Sequence, residues 1–459
     1  MNARKIVKKF IPKGLFAAIE PYGHLAEAIV LNTLNGFPGK RLKVIGVTGT
    51  NGKTTTTFLI HRMLHEAGYK VGMLSTVAYG VGDDIHSQIY HMTTVPVPEL
   101  MKRLKWMRDQ GAEWLVLETT SHALAQNRVW GVPYSIAVMT NVTHEHLDYH
   151  KTFERYRDAK RKLFQLTNAN KKGQRIGIIN AEDPSAELFA SDIANPMTYG
   201  VKKGDLRATQ VKSTPEGSTY TATIARPTGT MAYGYTADGS KPSAEQVREE
   251  VSLDITINIP GSFNVYNSLA AAATGLAIGL SKEQIEKGIA ALRSVEGRMT
   301  NIEEGQDFTV IVDFAHTPDS FEKLFKDLRP MVKGRLIALF GSAGRRDESK
   351  RAIQGELAGK YCDEVIVTEE DDRDVDGQEI MNQIAGGAEQ VGKVRDKDLF
   401  LVHDRTEAIN FAMQRAKKGD TVILLGKGHE KTIERADGEH PWDEIATAKA
   451  AAKKRLGKS

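Results

Sequence analysis

A single cysteine, Cys362, stands among 459 residues. No internal disulfide framework can form, and the chain fits a reducing compartment. No apolar run approaches the ~18 residues that span a bilayer. The basic opening MNARKIVKKF is not followed by the apolar core and small-residue cleavage site of a secretion signal. A cytoplasmic protein with no membrane partner is the expectation. Neither sign of charge dominates: 62 Lys and Arg stand against 58 Asp and Glu, for a net charge of +4. This surplus suits anionic small substrates, and no basic stripe interleaved with aromatics marks a nucleic-acid partner. There is no Ser/His/Asp or Cys set that reads as a protein nucleophile. Internal repeats and low-complexity tracts are absent apart from the lysine-rich tail.

What is present centres on residues 43–67, KVIGVTGTNGKTTTTFLIHRMLHEA. The apolar run 44–47 reads as a buried parallel strand, 48–52 as a glycine turn, and Ile60, Met63, Leu64 and Ala67 as the stripe of an amphipathic helix. Strand, turn, Lys-Thr and helix make a phosphate-binding loop. Gly49, Thr50, Asn51, Gly52 and Thr55 supply its backbone, Lys53 neutralises a polyphosphate, and the Thr54 hydroxyl suits Mg2+. The strict pattern places a glycine at position 47, whereas this chain has Val47 preceded by Gly46.

Residues 1–40 are a basic segment and a helix near 24–34, too short for a domain. From 42 to about 180, apolar runs at 71–74, 114–117, 136–139 and 176–179 alternate with helical patterns, predicting a doubly wound, mostly parallel sheet. Residues 203–260 read as an antiparallel addition with a polar loop near 227–249, and 267–291 as helix. A second αβ series, with strands at 310–313, 336–340, 364–368, 400–402 and 422–425, predicts a Rossmann-like domain. The fold class is α/β: a short segment 1–40, a central ATP-binding domain 41–300 and a C-terminal domain 301–459.

Six polar clusters follow apolar runs, at strand ends where open αβ sheets bind ligands. Glu118, before Thr119-Thr120-Ser121-His122, either holds a nucleotide's Mg2+ or belongs to a helix-capping cluster. His144, His146 and His150 either ligate a metal or decorate a polar turn, and without zinc-type spacing a dedicated zinc site is not expected. Lys160, among Arg155, Arg157, Arg161 and Lys162, reads as part of a solvated basic face. In DFAHTPD, Thr317 is an N-cap with Pro318 following, which leaves Asp313 and His316 for other work. GSAGRRD carries Arg346, and GKGHE carries Gly426 and Glu430; guanidinium groups suit carboxylates and phosphates.

In order along the chain, GVTGTNGKTTT, LETTSHALAQNRVWG, TNVTHEHLDYH, YRDAKRKLF, GSFNVYNSLAA, EGRM, DFAHTPD, GSAGRRDESKR and LGKGHE resemble the Mur ligases, most closely the UDP-N-acetylmuramoyl-tripeptide synthetases. The resemblance covers about residues 42–450. It implies ATP-dependent addition of a diamino acid to UDP-N-acetylmuramoyl-L-alanyl-D-glutamate through an acyl phosphate, by a monomer using ATP and two Mg2+ ions. It makes Lys53, Glu118, His146 and Lys160 the catalytic set, with Thr54, Glu118, His146 and a carbamylated Lys160 toward metal. It also makes Asn264, Asn267, Arg298, Asp313 and His316 nucleotide contacts. Thr93, Thr94, Ser121, His122, Arg128, Arg346, Asp371, Arg373, Gly426 and Glu430 become substrate contacts.

Three features depart from the family pattern. Only about 40 residues precede the phosphate loop, the acid before His146 is Glu145 rather than Asp, and the Thr-Thr-Pro motif reads Thr93-Thr94-Val95-Pro96. The Asp-Asn-Pro-Arg motif of diaminopimelate-adding relatives reads Glu370-Asp371-Asp372-Arg373. meso-Diaminopimelate is the expected amino acid, with L-lysine as the alternative. Another ligase of the superfamily, of the folylpolyglutamate or lipid-linked muramoyl type, and a nucleotide switch without ligase turnover stay open.

Overall fold

β-Branched and aliphatic runs that are apolar on both faces can only be satisfied inside a sheet with helices on each side, and the computed structural model builds two such sheets. It describes residues 13–88, 93–143, 145–214, 217–227 and 248–457. His144 and most of the polar stretch near 227–249 lie outside them. The chain divides into two compact units, one of residues 1–211, 220–256 and 266–291, the other of residues 212–219, 257–265 and 292–459.

The larger sheet holds β1 (Lys43–Thr48), β2 (Val71–Leu74), β3 (Ala78–Val81), β4 (Asp84–Ser87), β5 (Trp114–Glu118), β6 (Tyr134–Met139), β7 (Ile176–Asn180), β8 (Asn195–Gly200), β9 (Leu206–Thr214), β10 (Gly217–Pro227) and β11 (Arg248–Ile257). Their order is β11-β10-β9-β8-β7-β6-β1-β5-β2-β3-β4. β5, β1 and β6 are parallel neighbours, with Val47 level with Glu118 and Thr48 level with Met139. The winding direction reverses at β1, so the residues leaving these three strands emerge together at a topological switch point. Every residue of β5 and β6 is buried, as is β1 after Lys43.

Several local features differ from the sequence expectations. The helix expected near 24–34 runs over Lys13–Leu34. The stretch 267–291 is two helices, Phe263–Ile278 and Lys282–Ala290, because Gly279 turns at φ 91° and Ser281 forms a capping box with Gln284. The added strand β9 joins β8 in parallel. The β3–β4 hairpin across Gly82 was not anticipated, since β4 is exposed along its length and lacks an apolar signal.

The second unit has β12 (Thr300–Asn301), β13 (Thr309–Asp313), β14 (Leu336–Phe340), β15 (Glu364–Val367), β16 (Leu399–Leu401) and β17 (Thr421–Leu425), in the order β12-β13-β17-β14-β15-β16. Only β12 is antiparallel. Alternation sorts the cores: Ile311, Ala338 and Phe340 pack on one face, Val310, Val312, Ile337 and Leu339 on the other. β18 (Thr432–Arg435) and β19 (Gly438–Pro441) form a separate hairpin. Among the described residues, no helix is long and apolar enough to cross a membrane.

Candidate active site

The loop leaving β1 is shaped by backbone that tolerates no side chain. Gly49 has φ 149°, and a Cβ there would lie 1.9 Å from Thr140 Oγ1. Gly52, at φ 83°, is the N-cap of the helix Lys53–Glu66. The loop is tied to the end of β6: Thr50 N donates to Asn141 O (2.7 Å) and Asn51 N to Asn141 Oδ1 (2.9 Å). In return, Asn141 Nδ2 and Thr140 Oγ1 donate to Asn51 O, at 3.0 and 2.6 Å. The first amides of the helix are thereby presented as an anion site. Lys53 Nζ folds back onto Thr50 O at 2.7 Å. Thr54 and Thr55 are buried at the first turn. Asn267 lies against this turn: Thr56 Oγ1 donates to its Oδ1 at 3.4 Å, and a Cβ on Gly52 would meet that oxygen at 2.2 Å.

Glu118 ends β5 beside the loop and is buried. Its carboxylate accepts from Thr54 Oγ1 (3.2 and 3.1 Å), Thr76 N (2.9 Å) and Thr76 Oγ1 (2.9 Å). The capping role belongs instead to Thr120, whose hydroxyl accepts from Ala123 N at 3.2 Å; the cluster does both jobs. Thr76 Oγ1 also reaches Thr93 Oγ1 (2.9 Å), and Thr94 Oγ1 donates to Glu118 O (3.1 Å). Arg128 is buried and donates through Nη1 to Thr94 O and Val95 O. Burial lowers its guanidinium to about 10.

Lys160 is not on a solvated face. Its helix, Phe153–Ala169, buries Tyr156, Ala159, Lys160, Leu163, Phe164 and Thr167, while Arg155 and Lys162 are exposed. Lys160 therefore sits on the apolar stripe at helical spacing. Its Nζ donates to Gly49 O at 2.6 Å and lies 4.4 Å from the Tyr156 ring. Burial first, and the charge of Lys53 second, hold its amine well below the usual lysine range, against Glu145 and Glu118. Tyr156 Oη bridges Thr50 Oγ1 (3.0 Å) and Glu145 Oε2 (3.2 Å). His146, at φ 56°, lies 3.6 Å from Glu145 and stacks edgewise on His122 with ring centres 4.7 Å apart. His150 Nε2 pairs with Ser121 Oγ at 3.0 Å. Burial, then the neighbouring His146, lowers His122 to about 3.

Among the described residues, no three His, Cys, Asp or Glu side chains converge as a metal cage. The donors suit Mg2+ nonetheless, because that ion is held by one or two carboxylates with hydroxyl, water and phosphate oxygens. Glu118 and Thr54 supply a buried hard-oxygen pair beside the phosphate loop.

In the second unit, Asp313 ends β13, accepting from Met299 N (2.7 Å) and Ala315 N (2.8 Å). Its carboxyl is raised by burial against the pull of Arg298. The Arg298 guanidinium lies 4.6 Å over the Phe314 ring, which also touches the rings of His316 and His429. Lys427, buried, pairs with Asp371 (2.8 Å) and Glu430 (2.7 Å). Arg373, at φ 58°, donates to Glu434 Oε2 (2.7 Å) and Gly344 O (2.5 Å). A Cβ on Gly426 would lie 2.6 Å from Glu370 Oε2, a buried oxygen with no hydrogen-bond partner among the described residues. Arg346 is exposed. Asn264 donates to Pro260 O at 2.6 Å, within this unit and not the one holding Asn267.

The sequence reading passed over Thr76, Thr140, Asn141, Tyr156, Glu370, Lys427, His429 and Glu434 as individual site residues. Thr76, Thr140 and Asn141 follow strand ends, the rule that found Glu118, and Tyr156 stands one helical turn before Lys160. Glu434 lies on a hairpin with no comparable signal.

The pattern of the Mur ligase middle domain matches residues 47–275, and that of the Mur ligase glutamate ligase domain matches residues 297–428. A UDP-N-acetylmuramyl-tripeptide synthetase of Roseiflexus sp. is 41% identical over 443 residues, covering 94% of this chain and 82% of the relative. A UDP-N-acetylmuramoyl-L-alanyl-D-glutamate--2,6-diaminopimelate ligase of Geobacillus thermodenitrificans is 38% identical, covering 95% and 84%. A solved structure of a ligase of the latter name superposes with a TM-score of 0.60 at 27% identity, over 95% of this chain and 83% of that one.

Proposed function

The chain belongs to the Mur ligase family, and from that membership we propose that it is an ATP-dependent ligase of peptidoglycan precursor synthesis. It adds a diamino acid, meso-diaminopimelate, to UDP-N-acetylmuramoyl-L-alanyl-D-glutamate. The observation that carries this reading is the meeting of the phosphate loop, Glu118 and Lys160 at the tips of β1, β5 and β6, together with relatives of that activity aligned over most of the chain.

ATP phosphates lie on the amides of residues 49–55, with Lys53 turning from Thr50 O to neutralise them. Thr54 and Glu118 would hold one Mg2+, and His146 and a carbamylated Lys160 would hold a second. Bound there, Mg2+ would neutralise the phosphate oxygens and the charge that develops on transfer. A lysine that is a cation cannot ligate a metal. Its depressed pKa supplies the neutral amine that attacks carbon dioxide, forming an N–C bond and releasing a proton, and the carbamate is carboxylate-like. Thr93, Thr94, Ser121, His122 and Arg128 orient the muramoyl-peptide. The acceptor carboxylate attacks the γ-phosphorus, giving an acyl phosphate and ADP, and the incoming amine expels phosphate. Asn264, Arg298, Asp313 and His316 contact the nucleotide, and Arg346, Asp371, Arg373, Gly426 and Glu430 the amino acid.

One observation favours L-lysine as a second reading. The Arg373 guanidinium is already engaged by Glu434 and Gly344 O, and the unpartnered Glu370 oxygen suits an ammonium better than a carboxylate. Phosphate release measured with each substrate omitted, and the product weighed by mass spectrometry, tests both. Release that needs acceptor and diaminopimelate supports the proposal, preference for lysine favours the second reading, and release with ATP alone contradicts both.

A further inference from the structure

The hairpin of β18 and β19 lies along the loop that leaves β15. Arg373 N donates to Glu434 O (3.0 Å), Glu434 N donates to Asp371 Oδ1 (2.9 Å), and Arg373 bridges Arg435 in parallel. Arg435 adds two bonds to the buried Glu369, at 2.9 and 2.7 Å. Ile433, also buried, seats the hairpin from its other face. This docking uses backbone, Arg435 and Ile433, and it asks for no acid at position 434. The hairpin itself argues against one there. Glu434 stands directly opposite Glu439, and like charges facing each other across an antiparallel pair are destabilising. What the Glu434 carboxylate does is hold the Arg373 guanidinium, with Oε2 accepting from Nε at 2.7 Å.

The rest of that guanidinium is engaged as well. Nη1 donates to Gly344 O (2.5 Å), and Nη2 lies 3.8 Å from Asp371 Oδ2. An incoming carboxylate seeks two adjacent N–H groups, so one partner has to yield. Gly344 is backbone, tied through its own N to Asp371 O (2.8 Å). Asp371 is held by Lys427 Nζ (2.8 Å) and by Glu434 N. The Glu434 side chain is 42% exposed and is free to swing into water. We propose that Glu434 is a specificity-determining residue for the amino acid added, occupying Arg373 as a stand-in for the carboxylate at the far end of diaminopimelate. The inference rests on the ligase reading, in which Arg373 contacts the amino acid. A substrate whose far end carries a carboxylate must displace Glu434, whereas one that ends in an ammonium alone leaves the pair intact. Glu434 thereby narrows the preference for diaminopimelate over lysine by the strength of one ion pair.

The test is the ratio of kcat/KM for diaminopimelate to that for L-lysine, measured on the full chain at fixed ATP and acceptor. Glu434→Gln should raise this ratio about fivefold, the worth of a half-exposed ion pair, and the change should lie in the KM for diaminopimelate. Glu434→Ala, a second variant, should move it the same way. In an Arg373→Ala background, Glu434→Gln should leave the ratio where Arg373→Ala alone puts it, which a purely structural role for the hairpin does not require. A ratio that stays or falls in either single variant would overturn the proposal, as would an equal rise without Arg373. Turnover of both amino acids with an unmoved ratio fails this inference alone. Turnover of neither by the unaltered chain fails the ligase reading and this inference with it.

Discussion

At the scale of single residues, Lys160 separates composition from position. Its neighbours Arg155, Arg157, Arg161 and Lys162 make the segment read as a basic surface, and only its register on the helix, in step with Tyr156 and Leu163, turns it inward. That register was legible as a pattern, but basic residues are so rarely fully buried that the pattern alone argued for solvent. Lys160→Ala is expected to cut ligase turnover roughly hundredfold, with partial rescue by a short carboxylate; wild-type turnover in the variant would return the residue to a packing role. Arg373→Ala should lower kcat/KM for diaminopimelate and spare that for lysine, and an unchanged ratio of the two would remove Arg373 from amino-acid selection. His61 carries a pH prediction. Burial, then the charge of His65, lowers its imidazole to about 4 from 6.5, so between those values the unfolded chain binds a proton that the folded chain refuses. Stability is therefore full above about pH 6.5 and falls toward pH 4, by about 3 kcal/mol from this group. Thermal unfolding of His61→Phe should show a shallower loss over that window, and parallel curves would contradict the assignment.

Whole elements were more legible than their edges. The strands at 71–74, 114–117, 136–139, 310–313, 336–340 and 422–425 were readable because burial on both faces leaves unbroken apolar runs. β4 and the hairpin of β18 and β19 were not, since they carry mostly polar residues and owe their pairing to turns. The capping of the helix Pro318–Leu328 was readable from Thr-Pro alone, and the structure adds the reciprocal bonds between Thr317 and Ser320. Thr317→Ala should cost about 1 kcal/mol in denaturant unfolding; no change in midpoint would mean the second unit does not depend on that cap. Tyr156, Thr50 and Glu145 form a hydrogen-bonded chain that no single motif announces, because its members come from three separate segments.

For the molecule as a whole, the sequence carried the α/β class and the order of the motifs, which follow from strand ends lying at one edge of each sheet. It did not carry the side-chain pairings of the second unit, where acids and bases from several loops choose among near-equivalent partners. The central claim is that the tips of β1, β5 and β6 serve an acyl-phosphate ligase. Its most direct measurement is the transfer of oxygen-18 to phosphate from acceptor labelled in its reacting carboxylate. The account predicts one labelled oxygen in the released phosphate, formed only when ATP, acceptor and diamino acid are all present. Product peptide accompanied by unlabelled phosphate, or phosphate release indifferent to the acceptor, would contradict it.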